Sequence, residues 1–78
     1  MPGTRAEHMK WCKERAHQEY QFYKKTEPEA AIRNAVASML SDLGKHPETR
    51  GLQQAGMMIA MTVRDEPSLI RFIDGFAE

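Results

Sequence analysis

The sequence has few of the residues that stabilise small domains covalently. Its 78 residues include one cysteine, which excludes an internal disulfide, and the spacing of cysteine and histidine does not indicate a structural zinc site. A chain of this length forms one domain, and so small a domain buries little apolar surface. We therefore predict a single domain over residues 1–78 that depends on closely packed helices or on self-association.

Long apolar runs are also missing. The longest extends from Met57 to Met61, far short of the roughly 20 residues that span a bilayer. The N-terminus lacks the apolar segment of a signal peptide. Because the cysteine is free and no export signal is found, we expect the chain in a reducing cytoplasm, without a membrane partner.

The chain carries no net charge of either sign, since 11 Lys and Arg balance 11 Asp and Glu. The charges are unevenly placed, with a basic excess in residues 1–25 and an equal acidic excess in the remainder. Such asymmetry can steer a charged partner, but complementary packing within a domain or between subunits is the more common cause. We favour packing. The domain is not basic overall and lacks the usual nucleic-acid motifs.

Helical periodicity is what the sequence does contain, without strand-type alternation or repeats. Apolar residues recur at i, i+3, i+4 and i+7 on both sides of a short connection that holds His46 and Pro47. This pattern predicts an antiparallel helical hairpin within residues 28–63, with Gly44 closing its first helix in the left-handed conformation. The predicted fold is all-α, a compact bundle of four helices built on this central hairpin, at about residues 4–25, 27–43, 49–63 and 66–76.

Capping signals mark the starts of three of these helices. Thr4 followed by Glu7 is a capping-box pattern, and Thr26 followed by Glu29 repeats it. For the last helix, the candidate N-caps are Asp65 and Glu66.

Two histidines invite a chemical interpretation. His8 and Cys12 have the spacing of two ligands on one helix, but only His17 and His46 could complete a metal site. We favour a buried thiol beside a solvated imidazole, and predict no metal and no cofactor. His46 could be a general base, but no nucleophile or orienting acid lies next to it in sequence. We favour a loop histidine bonded to the neighbouring backbone, and predict that the chain is not an enzyme.

Trp11 lies among the cations Lys10, Lys13 and Arg15. Such a surface could stack a base and contact phosphates. The alternative is a tryptophan half-buried against the second helix or a second subunit, with cations extending around it. We favour the second interpretation.

The third predicted helix is apolar nearly all round, so it lies either at the centre of the fold or under another molecule. Methionine fills irregular gaps in cores and also lines adaptable binding surfaces. We assign Leu52, Ile59 and Val63 to the core, and leave both interpretations open for Met58 and Met61.

Several blocks of sequence carry a resemblance. They are MKWCKERA at residues 9–16, ASM at 37–39, SDL at 41–43 with KHPET at 45–49, and RFI at 71–73 with GF at 75–76. In these blocks the chain resembles small proteins encoded in tailed-bacteriophage genomes, a group without an assigned activity. The resemblance implies expression inside an infected bacterium. It also implies binding to a host or defence component, as small phage proteins of this type often do.

The predicted function is that of a non-enzymatic helical interaction protein. It would form a homo-oligomer and bind and modulate a bacterial host or defence factor in the cytoplasm of the infected host. The alternative is an oligomeric small-ligand binder that sequesters an anionic signalling nucleotide; nucleic-acid binding ranks third. The candidate binding residues are Trp11, Lys10, Arg15, His46, Met58 and Met61.

Overall fold

The computed structural model describes residues 3–76, which form four α-helices and one short 3₁₀ helix. The α-helices are α1 (Arg5–Thr26), α2 (Ala31–Leu43), α3 (Leu52–Ala60) and α4 (Glu66–Asp74), and the 3₁₀ helix Pro28–Ala30 leads into α2. No strand occurs in this part of the chain. The predicted all-α bundle of four helices is therefore confirmed.

The first and last helices begin at side-chain caps. The hydroxyl of Thr4 accepts the Glu7 backbone N–H, and the Glu7 carboxylate accepts the Thr4 N–H, both at 3.1 Å. Hydrogen bonding of the Glu7 carboxylate to the Thr4 side chain, and after it to the Thr4 backbone N–H, lowers the pKa of Glu7. At α4, the Asp65 carboxylate accepts the Ser68 N–H at 3.0 Å. Both predicted caps are confirmed, and Asp65 rather than Glu66 is the capping residue.

The predicted cap at Thr26 is wrong. Helix α1 continues through Thr26, whose hydroxyl donates to the carbonyl of Phe22 at 3.1 Å. The hydroxyl is thus satisfied inside α1 and does not reach the next helix. The 3₁₀ helix instead follows Glu27, which makes no side-chain capping bond.

The end of α2 also differs from the prediction. Gly44 has φ −74°, so it is not left-handed. The last carbonyls of α2 are capped by side chains that come later in sequence: Thr49 donates to Leu43 O at 2.6 Å, and Gln53 donates to Leu40 O at 2.8 Å. A Cβ at position 44 would lie 2.4 Å from the Gln53 amide nitrogen. Glycine at this position leaves room for the Gln53 cap, and its backbone freedom is not required.

The core lies mainly between α1 and α2, the helix pair with the most extensive contact, and α4 closes it. The buried apolar residues are Met9, Cys12, Ala16 and Tyr20 of α1, Ala31, Ala35, Met39 and Leu43 of α2, and Leu69, Phe72 and Ile73 of α4. The apolar stripes predicted for these helices are therefore largely confirmed.

Polar contacts also join α4 to α1. The Tyr20 hydroxyl donates to the Glu66 carboxylate at 2.6 Å, and Lys24 pairs with the same oxygen at 3.2 Å. These bonds lower the pKa of Glu66, and the first of them raises the pKa of Tyr20. At the other end of α4, His17 lies 3.0 Å from the Asp74 carboxylate.

Helix α3 contributes little to this core. It packs on α2 through Gly56, its one buried residue, while Leu52 and Val63 on either side are half-buried. Ile59 is 50% exposed, so its assignment to the core is wrong. A Cβ at position 56 would lie 2.8 Å from Leu40 Cδ2. With Gly56 against α2, Met57, Met58 and Ile59 face away from the core.

Candidate functional site

A buried carboxylate lies at the centre of the first candidate site. Asp42, in the last turn of α2, is 1% exposed and accepts Arg15 Nε at 2.7 Å and Lys45 Nζ at 2.9 Å. A carboxylate is unfavourable at the negative end of a helix dipole and inside a protein. The two cations offset both costs. We call Asp42, Arg15, Lys45 and the adjoining Trp11 and His8 the Asp42 cluster.

Trp11 is half-buried beside the same two cations. The Arg15 guanidinium lies 5.2 Å from the centre of its ring, and the Lys45 ammonium lies 5.5 Å from it. Both are cation–π distances. A nucleobase stacked on Trp11 would have to compete with cations that already hold Asp42. The geometry therefore favours packing over ligand binding for Trp11.

His8 is fully buried in this cluster, so the predicted solvated imidazole is wrong. Its Nε2 donates to the main-chain carbonyl of Asp42 at 2.7 Å, because a carbonyl can only accept. The ring is 5.3 Å from Trp11 and 5.1 Å from His46, centre to centre. His8 thus caps α2 from a different helix, a role that makes it a structural residue.

The predicted buried thiol of Cys12 is confirmed. Burial, and after it the negative charge of Asp42, raises the pKa of Cys12 to about 11. A thiol this hard to ionise is a poor nucleophile and a poor metal ligand at neutral pH. Within residues 3–76, no group of three or more His, Cys, Asp or Glu side chains is placed to hold a metal ion.

His46 behaves as a loop histidine, as predicted. Its Nδ1 accepts the Glu48 backbone N–H at 3.0 Å, and its Nε2 lies 3.2 Å from the carbonyl oxygen of Gly3. Lys10 is exposed and lies on the outer surface of α1, beside Glu7, Trp11 and Glu14. Neither His46 nor Lys10 is placed to pair with Asp42, and so neither extends the Asp42 cluster.

The second candidate site is an apolar surface on α3. Met57, Met58 and Met61 are 60%, 71% and 87% exposed, and with Gln54 they line one shallow depression. We call these four residues the methionine surface. The predicted site residues Met58 and Met61 therefore lie together.

Ile59, the residue after Met58 on α3, lines a cleft between α3 and α4. The volume of this cleft is about 430 Å³, and Arg64, Arg71 and Phe72 are among its lining residues. A smaller pocket of about 110 Å³ beside it is lined by Ile59, Arg71, Phe72, Gly75 and Phe76. We call the larger space the α3–α4 cleft and the smaller one the apolar pocket.

Sequence reasoning missed several members of both sites. Asp42 and Lys45 were absent from the predicted set, although an acid near the predicted end of a helix signals a need for a paired cation. Arg64 and Arg71 were also missed, because no sequence pattern shows which side of α3 faces α4. The six predicted residues thus divide between the vicinity of the Asp42 cluster and the methionine surface.

Comparison of the chain with family models, with curated proteins and with solved structures gives no match. Within residues 3–76, no helix has both the length and the apolar character needed to cross a bilayer.

Proposed function

We propose that this chain is a non-enzymatic interaction protein that binds a bacterial host or defence protein through the methionine surface. The exposure of Met57, Met58 and Met61 carries the proposal. The same chain buries Met9 and Met39 completely. The fold therefore accommodates methionine in its core, and the exposure of Met57, Met58 and Met61 is specific to α3 and its C-cap. Contiguous exposed apolar side chains mark interaction surfaces, and flexible thioether chains adapt to a partner.

The resemblance to small phage proteins supports a bacterial protein as the partner. Such a protein would act by occupying a surface of its target, which requires no catalytic group. The small-ligand alternative has less support, because Arg15 and Lys45 already neutralise Asp42. A nucleotide phosphate at Trp11 would have to separate these ion pairs and leave a buried carboxylate unpaired, which is costly.

The test is affinity capture from a bacterial lysate with three forms of the chain. The first is the unaltered protein, and the second is Met58→Gln/Met61→Gln, which keeps side-chain length and helix propensity but removes the apolar contact. The control is Phe22→Gln, which removes an apolar side chain that is 58% exposed on α1. We expect one bacterial protein to be retained by the unaltered protein and the control and lost by the methionine variant.

The captured protein is then purified and titrated against all three forms. Saturable binding that the methionine variant weakens at least tenfold would support the proposal, since hot-spot residues each contribute more than about 1 kcal/mol. Equal binding by the three forms, or no specific capture, would contradict it.

A further inference from the structure

Two arginines and one carboxylate, Asp65, line the α3–α4 cleft, so positive charge is in excess there. Arg64 and Arg71 are both exposed, and among residues 3–76 neither guanidinium lies within ion-pair distance of an acid. Each also lines the cleft together with Ile59. The cleft thus combines positive charge with apolar side chains, and Ile59 connects it along α3 to Met58 of the methionine surface.

The two acids nearest this face, Asp65 and Glu66, already accept hydrogen bonds within the protein. The Asp65 carboxylate accepts both the N–H and the hydroxyl of Ser68, at 3.0 and 2.7 Å. These bonds, and to a smaller extent the charges of Arg71 and Arg64, lower its pKa. Glu66 accepts Tyr20 and Lys24 on α1. The cleft therefore presents net positive charge to an incoming molecule.

This charge decides which occupant fits. A second copy placed face to face on the same surface would bring four arginines together against only two Asp65 carboxylates, and juxtaposed like charges are unfavourable at an interface. A polynucleotide would bring its phosphates to Asp65 as well as to the arginines, and would meet an apolar floor at Ile59 and Phe72. A protein segment with carboxylates beside apolar side chains satisfies both features.

We infer that the α3–α4 cleft selects an acidic amphipathic helix of the partner protein. Apolar side chains of that helix pack on Met58 and Ile59, and one enters the apolar pocket against Phe72 and Phe76. Its flanking Asp or Glu residues pair with Arg64 and Arg71. This inference rests on the proposed function, because it assigns a partner chemistry to the same surface. Helix-in-groove recognition with i, i+3, i+4 and i+7 anchors is an established mode of peptide binding.

Two synthetic peptides test the charge selection. Each is an amphipathic helix of about 18 residues, or about five turns, with the same leucine stripe. One carries Glu at the flanking positions and the other carries Lys. Fluorescence anisotropy measures their affinity for the unaltered protein, for Arg64→Gln/Arg71→Gln, for Arg64→Glu/Arg71→Glu, and for Arg33→Gln. Arg33 is an exposed arginine of α2 outside the cleft, so the last variant is the matched control.

We expect the Glu peptide to bind and the Lys peptide to bind more weakly. The double glutamine variant should lose about two- to thirtyfold in affinity for the Glu peptide, the effect of two exposed ion pairs. The loss should shrink in high salt. The double glutamate variant should prefer the Lys peptide, while Arg33→Gln should behave like the unaltered protein.

Failure of this inference is distinguishable from failure of the proposed function. Equal affinity for both peptides, with a loss for both in Met58→Gln/Met61→Gln, would keep the methionine surface and overturn the charge selection. Loss in the arginine variants alone would keep the cleft and contradict the role of the methionine surface. Absence of binding to either peptide up to about 1 mM, or tighter binding of a single-stranded DNA oligonucleotide than of the Glu peptide, would overturn the inference.

One further measurement addresses self-association. Light scattering on the protein alone should show no dimer that the methionine variant dissociates. Such a dimer would identify a second copy as the occupant and overturn the inference.

Discussion

At the scale of single residues, Asp42 is a buried acid whose charge must be compensated by its surroundings. Its side chain is buried at the carboxyl end of α2 and held by two cations, while its backbone carbonyl accepts His8. One residue therefore joins α1, α2 and the connection after α2. A substitution at this position should therefore weaken the contacts that all three make with one another.

Asp42→Asn should lower the free energy of unfolding by about 1–3 kcal/mol. The asparagine amide fills the same space but directs N–H donors towards Arg15 or Lys45, which are donors as well. Lys45→Gln should cost less, about 0–1 kcal/mol, because the carboxylate keeps Arg15 and the lysine side chain is 44% exposed. Urea unfolding measures both, and equal stability of Asp42→Asn and the unaltered protein would contradict the role assigned to the cluster.

The Cys12 thiol makes the free energy of unfolding depend on pH in the alkaline range. The unfolded thiol ionises near its ordinary pKa of 9.0, whereas the folded thiol keeps its proton until about pH 11. The contribution of the Cys12 thiol to the free energy of unfolding is therefore fully present below about pH 9, and it is lost as pH rises towards 11. Two pKa units correspond to roughly 2–3 kcal/mol.

Cys12→Ala is the control for this prediction. It removes the titrating thiol, so its unfolding free energy should fall less steeply over the same pH range than that of the unaltered protein. Thiol alkylation at neutral pH should also be slow until the protein unfolds. Parallel pH profiles for the two proteins would contradict the argument.

At the scale of elements, the turn after α2 shows why two glycines with similar backbones differ. Gly44 and Gly51 both have right-handed helical dihedral angles. A Cβ at position 44 would strike the Gln53 amide, whereas a Cβ at position 51 would meet nothing within 4 Å. The backbone conformation is therefore compatible with alanine at both positions, but only position 51 has free space for the added methyl group.

Gly51→Ala should raise the free energy of unfolding by about 0.4–1 kcal/mol, because it restricts the unfolded chain without a clash. Gly44→Ala should lower it by about 1 kcal/mol, since the Gln53 side chain must leave the Leu40 carbonyl. Thermal unfolding of the two variants measures the contrast. A gain in both would show that the Gln53 cap contributes nothing.

The element scale also shows how far the sequence could predict this fold. Periodicity placed α1, α2 and α4 and the buried faces of Met9, Met39 and Leu69 correctly, because each of these helices has one apolar side. It failed on α3, where both sides are apolar and the covered side depends on the close approach at Gly56. The cap predicted at Thr26 was wrong because the sequence does not show which backbone group a threonine hydroxyl bonds. A hydroxyl that bonds within its own helix and one that caps the next helix have the same sequence pattern.

The candidate sites were less predictable than the helices. The pairing of Asp42 with Arg15 joins residues 27 positions apart in sequence, and no local pattern marks it. The selection of Met58 and Met61 used methionine chemistry and not position. Their arrangement beside Arg64 and Arg71 depends on how α3 lies against α4, which is a property of the packed chain.

At the scale of the whole molecule, the structure separates what stabilises the fold from what is proposed to bind. The buried core is built from α1, α2 and α4, while Met57, Met58 and Ile59 of α3 face outwards. Met58→Gln/Met61→Gln should therefore change the free energy of unfolding by no more than about 0.5 kcal/mol. Differential scanning calorimetry checks this against Met39→Ala, which empties a buried position and should cost about 2–5 kcal/mol. A large loss in the double variant would mean that α3 is covered in the protein as it exists in solution.

The homo-oligomer predicted from the small size of the domain stays a prediction. Its test is the mass in solution at micromolar concentration. An assembly that survives Met58→Gln/Met61→Gln would have to use another surface, and the exposed Phe22 on α1 is the first to examine.

The unequal burial of the methionines has a chemical consequence for the proposed binding surface. Peroxide converts an accessible thioether to a polar sulfoxide and reaches buried sulfur atoms slowly. Met57, Met58 and Met61 should therefore oxidise well before Met9 and Met39, which are fully enclosed. Peptide mass mapping after brief peroxide treatment measures the order. Because the exposed sulfurs lie outside the core, the oxidised protein should stay folded and lose its partner, and a methionine sulfoxide reductase should restore binding.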